Sequence, residues 1–229
     1  MKSSQFKLLL LLQVITLFLV AMLYLKQPLL ELGRPLTDSS AKAMTSAGKV
    51  AVRTGDNFIY GNADAENELI IFTRYNCGFC RDFYNESFDS LMANYVRTGE
   101  LKVVFMDNVN TSDKQGMLMA KLAEMAKAEN LYEVLQGRLY AGNAPEDSSE
   151  ITALAMAVGL SVQQIQKQLN SPEILKAIAD DNEEAGRLQL TGTPSFVING
   201  KVITGFRGYP AFKSQLDELI HTGQVKPKS

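Results

Sequence analysis

The apolar positions of this chain fall into three regimes. Residues 8–25 are apolar apart from Gln13 and Thr16. That is about eighteen positions, near the length that spans a bilayer as a helix and longer than the apolar stretch of a usual signal peptide. Further on, short apolar runs alternate with turn signals. Residues 57–60 read as a strand ended by Gly61-Asn62. Residues 69–75 form a continuous apolar run suited to a buried central strand, and residues 101–106, Leu-Lys-Val-Val-Phe-Met, form another. Between these two, residues 82–96 suit a helix. Near residue 112 the period becomes helical throughout. Ser112-x-x-Gln115 reads as a capping box before Leu118, Leu122 and Met125. Leu131, Leu135 and Leu139 repeat the spacing, and Gly142-Asn143-Ala144-Pro145 interrupts it. Asp147 or Ser148 restarts it, Ser161-x-x-Gln164 caps the next helix, and Ser171-Pro172-Glu173 opens another. The strand pattern then returns as 195–198 and 201–204 around Asn199-Gly200, a two-residue hairpin signal because both turn positions want positive φ. Residues 209–221 close the pattern as a helix with Phe212, Leu216, Leu219 and Ile220 inward.

The first regime reads as an address. Lys2, Lys7 and the free amine precede the apolar span, against Lys26 and Arg34 after it. This asymmetry keeps the N-terminus cytoplasmic and exports the rest. Residues 1–26 are therefore expected to be an uncleaved signal anchor, a single transmembrane helix. A cleaved signal peptide and a buried soluble helix are the alternatives. Residues 27–49, with Pro28, Pro35 and a Thr/Ser/Ala-rich run, read as a linker. Residues 50–229 remain for one domain, within the usual size range.

Composition narrows the chemistry. The chain has 229 residues and a net charge of −2, with no Lys/Arg cluster that would mark a nucleic-acid partner. Its two cysteines exclude a structural disulfide framework, and both lie in Cys77-Gly78-Phe79-Cys80. A C-x-x-C between a strand and a helix puts Cys77 at a helix N-terminus, where backbone N–H groups favour a thiolate, and Cys80 one turn on. Two thiolates fall short of a closed zinc site, and the single histidine, His221, lies at the far end of the last helix. The same distance removes a Cys/His hydrolase. No metal and no cofactor are expected.

Three stretches carry a family resemblance: Gly61-Asn62-Ala63-Asp64-Ala65 before the central strand, Asn76-Cys77-Gly78-Phe79-Cys80-Arg81, and Thr191-Gly192-Thr193-Pro194-Ser195-Phe196-Val197-Ile198-Asn199-Gly200. Together they resemble the thioredoxin superfamily, and more narrowly its DsbA-like branch, over about residues 58–220. The resemblance implies an α/β thioredoxin-like fold with an inserted helical block at about 112–188, preceded here by the membrane helix. It implies that Cys77 is an exposed nucleophile and Cys80 the resolving thiol. Pro194 is expected to be cis with Thr193 facing Cys77, and Gly78 and Phe79 to support the site. The inserted block would shape an apolar substrate groove, to which Phe79, Phe206 and Tyr209 could contribute.

The implied activity is thiol–disulfide exchange on exported proteins, with the domain in the periplasm or extracytoplasmic space and a redox partner in the inner membrane. A DsbA-like oxidase is the first reading. A disulfide isomerase or reductase, and a non-catalytic chaperone on the same scaffold, are the others. The chain departs from the branch at Ile71, six positions before Cys77, where many relatives carry a buried glutamate for proton transfer. Glu68 or water would have to substitute. Gly78-Phe79 offers the Cys77 thiolate no polar side chain, leaving Arg74 and Arg81 as helpers. The expected Cys77 pKa is accordingly below that of a free thiol but above the extreme of the strongest oxidants.

Overall fold

The computed structural model describes residues 49–141, 145 and 147–221. The expected signal anchor, nearly all of the linker and the Gly142-Asn143-Ala144 break lie outside the described residues. No helix among the described residues is long and apolar enough to cross a membrane.

Five strands form one sheet: β1 (Ile59–Tyr60), β2 (Asn67–Thr73), β3 (Leu101–Asp107), β4 (Ser195–Ile198) and β5 (Lys201–Thr204), in the spatial order β1-β3-β2-β4-β5. The β2/β3 pair is parallel, and β1/β3, β2/β4 and β4/β5 are antiparallel. β2 is central, which explains its unbroken apolar run: both of its faces are covered. Leu69 and Ile71 join the larger core, while Ile70 and Phe72 join a smaller one on the opposite face with Val104, Met106, Val197 and Ala185. The β4–β5 hairpin has the bounds its sequence predicts. Asn199 and Gly200 take φ of 47° and 81°, and Gly200 also packs so closely under Val50 that an added Cβ would meet the Val50 carbonyl oxygen at 2.8 Å.

The helix after β2, α1, runs over residues 78–96. It starts as an α-helix at Gly78–Phe83 and widens into π-type turns at Tyr84–Phe88 and Met92–Val96, separated by Asp89–Leu91. Its apolar pattern does not announce these wider turns. In the first of them Tyr84 and Phe88 stack with ring centroids 4.6 Å apart, and Tyr84 also stacks on Tyr140. Five helices then intervene before β4: α2 (Lys114–Ala128), α3 (Tyr132–Tyr140), α4 (Ser148–Ala157), α5 (Val162–Gln168) and α6 (Pro172–Arg187). The final helix, α7, is Tyr209–His221.

The caps mostly follow their sequence signals. Asp147 caps α4, accepting from the N–H groups of Ser149 and Glu150, and Ser161 with Gln164 forms the capping box of α5. Ser171 caps α6 with Pro172 behind it. The exception is α2. Its cap is Asp113, which accepts from Gly116 N–H at 2.9 Å, and not Ser112. Ser112 is already committed: its N–H and hydroxyl both donate to Asn110 Oδ1.

The inserted helices turn most of their apolar residues inward. Leu122, Leu135, Leu139, Ile151 and Ile165 belong to the same core as Leu69 and Ile71. α7 joins that core through Phe212, Leu216 and Ile220. Phe83 of α1 meets Phe196, Phe206 and Phe212 at 4.9–5.4 Å between ring centroids, an aromatic cluster tying α1, β4 and α7 together. The C-terminal half of α6 is held to the start of the described domain by charge. Glu184 is gripped by Arg187 and by Arg53 at 2.8 Å, and hydrogen bonds from Arg187 first, then from the Arg53 N–H and guanidinium, hold its carboxyl down at about 2 against burial.

Candidate active site

β2 ends at Thr73, and a short turn carries the chain into α1. The Cys77 N–H donates to the Arg74 carbonyl at 3.2 Å, and Cys77 itself is the N-cap of α1, with extended φ and ψ of −90° and 122°. No side chain caps this helix, so its first-turn N–H groups are available to a sulfur anion. Far away in sequence, the loop before β4 returns to the same point. The Thr193–Pro194 bond is cis, and the Cys77 thiol donates to the Thr193 carbonyl at 3.3 Å. Two distant motifs thus make one site, as their resemblance implies.

One expectation needs correction. Cys77 is not freely exposed: it retains 9% of its accessible surface, because the Thr193–Pro194 loop lies against it. Cys80 is deeper, at 1%. Gly78 and Phe79 are both exposed, Phe79 at 64%. Nothing stands within 4 Å of the place a Cβ on Gly78 would take, so glycine is not sterically required there. Phe206 and Tyr209 are half-buried and pack against the core.

Both cysteines are free thiols, and their environments push them in opposite directions. The Cys77 pKa falls from 9.0 to about 5. The Cys80 thiol contributes most by hydrogen bonding to it. Burial opposes the shift, and the Thr193 side chain, the Cys80 N–H and the charge of Arg74 add to it. The Thr193 hydroxyl has no other partner. Cys80 is pushed up, first by burial and then by its neighbour Cys77.

The floor beneath Cys80 is polar in a way the sequence does not announce. The Thr73 hydroxyl faces the Cys80 thiol, and Thr73 Oγ1 lies 2.6 Å from the hydroxyl of Tyr140 on α3. All three residues are buried. A second buried chain runs beside them: Tyr75 OH to Tyr132 OH at 3.2 Å, Gln136 Nε2 to Tyr132 OH at 2.9 Å, and Tyr60 OH to Gln136 Oε1 at 2.7 Å. Thr73 carries a weak local signal, a polar residue ending an apolar strand just before the cysteines. Tyr140 carries none, because its role depends on a contact made across the fold.

Glu68 cannot replace the missing glutamate. It sits at the opposite end of β2 from Thr73, about 16 Å away at strand rise, and pairs with Lys102 at 3.5 Å. Ile71 itself is fully buried between Phe105 and Phe196 in the sheet register. The loop before Cys77 is also tied to the inserted helices: Asn76 Nδ2 donates to Asp113 Oδ2 at 2.7 Å. This bond, with the Gly116 N–H, lowers the Asp113 carboxyl.

Among the described residues, Asp107, Glu124 and Asp181 bring ligand atoms within 4.8 Å of one another. The positive charge there is already supplied by Lys127, whose ammonium lies 2.5 Å from Glu124 Oε1 and 2.5 Å from Asn57 Oδ1.

The chain is similar to known proteins. The thioredoxin family model matches residues 53–218. Disulfide bond formation protein D of Bacillus subtilis (strain 168) is 20% identical over 170 residues, covering 71% of this chain and 76% of that protein. Of the Na(+)/H(+) antiporter NhaA 1 of Mycobacterium sp. (strain KMS), 24% identical over 146 residues, this chain spans only 23%. The crystal structure of oxidised BdbD from Bacillus subtilis superposes with a TM-score of 0.67 at 18% identity, over 76% of this chain and 98% of that one. That of alpha-DsbA1 from Wolbachia pipientis gives 0.67 at 19% identity, over 77% and 97%. The chain belongs to the thioredoxin family, among its DsbA-like thiol:disulfide oxidoreductases.

Proposed function

We propose that the chain oxidises exported proteins through a Cys77/Cys80 dithiol–disulfide cycle. The observation that carries this reading is the split between two thiols on one helix: Cys77 lowered to about 5 at the N-cap beside Thr193, and Cys80 raised and buried. In the disulfide form, a substrate thiolate attacks Cys77 Sγ. The Cys77–Cys80 bond breaks, and Cys80 leaves and takes up a proton. A second substrate thiolate then attacks the substrate sulfur of the mixed disulfide, and Cys77 leaves as a thiolate. The substrate loses two electrons and gains a disulfide; the enzyme gains both electrons as a dithiol. A low pKa makes Cys77 a good leaving group in the last step, and a stabilised thiolate makes the disulfide form oxidising. An oxidant must then remove the two electrons, and this role falls to a redox partner in the membrane. The apolar span at residues 8–25 would anchor the domain beside that partner on the outer side of the inner membrane.

Thr193 and Pro194 flank the sulfur and present the extended backbone against which a substrate segment can pair. The test is a Cys80→Ser variant of the full chain in the exporting cell. It is expected to accumulate mixed disulfides through Cys77, visible as adducts that collapse on reduction, and Cys77→Ser is expected to show none. Thiol trapping of the wild type should find Cys77 and Cys80 mostly as a disulfide. A mostly dithiol resting state would overturn the oxidase direction in favour of an isomerase or reductase. Full function with Cys77→Ser would overturn the cysteine cycle in favour of a chaperone.

A further inference from the structure

Whenever the dithiol is reoxidised through a mixed disulfide, Cys80 must become a thiolate while almost fully buried. No carboxylate is within reach along β2, since Ile71 holds the position from which one could act and Glu68 is at the far end of the strand. Burial alone would hold the thiol protonated. The groups that face Cys80 are Cys77 from its own helix, Thr73 from β2 and Tyr140 from α3, with Asp107 at the end of β3 paired in register with Thr73. Asp107 is itself buried, and burial first and then the charge of Glu124 push its carboxyl well up, toward the uncharged form. In a mixed disulfide Cys77 is uncharged, and its contribution to keeping Cys80 protonated disappears. What remains against burial is the Thr73 hydroxyl, which Tyr140 holds, and the Arg74 backbone N–H.

We propose that Thr73 and Tyr140 form a two-hydroxyl relay that stabilises the Cys80 thiolate as it resolves the mixed disulfide, with Thr73 the catalytic donor and Tyr140 its positioning residue. Either hydroxyl can donate across their 2.6 Å contact; in the relay it is the Tyr140 O–H that donates to Thr73 Oγ1, and the Thr73 proton is turned to Cys80 Sγ, whose thiolate it favours. A hydrogen bond to a charged acceptor is stronger than one between neutral groups, and more so where water is excluded. The step balances simply. The Cys80 proton passes to solvent, Cys80 Sγ attacks Cys77 Sγ, the Cys77–Cys80 bond forms, and the partner thiolate departs with the electron pair of the broken bond. The inserted helices thereby contribute a side chain to the chemistry as well as to the core.

This inference rests on the cysteine cycle proposed above, and one experiment separates the two. The reduced full chain, held in detergent, is mixed with glutathione disulfide. Acid quenching and mass analysis then follow the glutathione adduct of Cys77 and its conversion to the Cys77–Cys80 disulfide. Thr73→Val is expected to slow the second step roughly tenfold and to move its pH midpoint upward, while the rate of the first step and the thiolate absorbance midpoint of Cys77 hold. Thr73→Ser should restore the second step. Tyr140→Phe should slow it roughly threefold, and it keeps its ring, so it carries the test independently of any folding defect at position 73. An unchanged second step in both Thr73→Val and Tyr140→Phe would overturn the relay. So would a Thr73→Ser variant as slow as Thr73→Val, which would place the effect in packing. Absence of any Cys77 adduct in the wild type would instead overturn the cysteine cycle itself.

Discussion

The mouth and the floor of the active site sit one helical turn apart and follow different rules. At the mouth, Cys77 keeps 9% of its surface and is surrounded by donors: the Cys80 thiol, the Thr193 hydroxyl, the Cys80 N–H and, more weakly, the charge of Arg74. At the floor, Cys80 keeps 1% and is dominated by burial, relieved by the Thr73 hydroxyl, itself bonded to Tyr140, and by the Arg74 N–H. Gly78 and Phe79 bring no polar side chain to the pair; the difference comes first from the hydrogen bond the Cys80 thiol gives Cys77, then from depth, the Thr193 hydroxyl and the helix N–H of Cys80. A helix N-terminus that places one thiol at its cap and the other inside its first turn sets up that division.

The hardest way to break this contrast is to force a carboxylate into the floor. Ile71→Glu restores the residue type that many relatives carry, but here the site is lined by Phe105 and Phe196. Without a prepared partner the glutamate is expected to destabilise the protein by roughly 4 kcal/mol at pH 7, equivalent to a pKa raised by about three units. A carboxyl raised in the folded state costs nothing below its unfolded pKa, and the cost grows as pH rises from there to its folded value, where it is complete. The loss should therefore shrink toward pH 4, which urea unfolding at several pH values would measure. A variant as stable as the wild type at pH 7 would mean that this floor accepts charge after all, and the argument for a hydroxyl-based floor would fail.

That contrast also marks where sequence reading stops. The hairpin around Asn199-Gly200, the helix at 209–221 and the cap at Ser161 were legible because short-range chemistry decides them. The motifs around Cys77 and Pro194 meet in the fold, with the Thr193–Pro194 bond cis. The depth of Cys77 is not legible in the sequence, because exposure depends on what another segment covers. Ser112 fits the pattern of a cap, but its side chain turns back to Asn110 and Asp113 holds the cap position instead. The floor was invisible: Thr73 and Tyr140 are joined only by packing a helix of the insertion against the end of β2.

A smaller effect sharpens the mouth. The Cys77 thiolate is favoured in the folded dithiol, with a pKa near 5 against 9.0 for an ordinary thiol. A depressed folded pKa contributes stability that is complete above the unfolded pKa and is lost as pH falls through the folded one. The dithiol form should therefore gain on the disulfide form between pH 5 and pH 9, by about 2–3 kcal/mol once the solvent-facing side of the sulfur is allowed for. Cys80 stays protonated in the folded dithiol over this window and opposes the gain only near pH 9, where the unfolded thiol begins to ionise. Unfolding both redox forms in urea at pH 5, 7 and 9 measures the difference. Parallel pH dependences would show that the mouth holds no thiolate.

The smallest effects divide the mouth among its donors. Thr193→Val removes a hydroxyl that has no other partner and leaves the carbonyl contact in place. It should raise the Cys77 midpoint by about one unit, read as thiolate absorbance against pH. Arg74 acts only through space, from a half-buried side chain beside a cavity of about 170 Å³ lined by Asn108, Asn110 and Thr193. Arg74→Leu should therefore move the same midpoint by about 0.3 unit at low salt and by almost nothing at 1 M, because a charge acting across solvent is screened there while a hydrogen bond is not. If Arg74→Leu shifted the midpoint more than Thr193→Val, and salt left that shift intact, the mouth would be governed by a buried ion pair and not by directed donors. Cys77 would then owe its low pKa to the strand end, and the comparison with Cys80 would have to be rebuilt on charge.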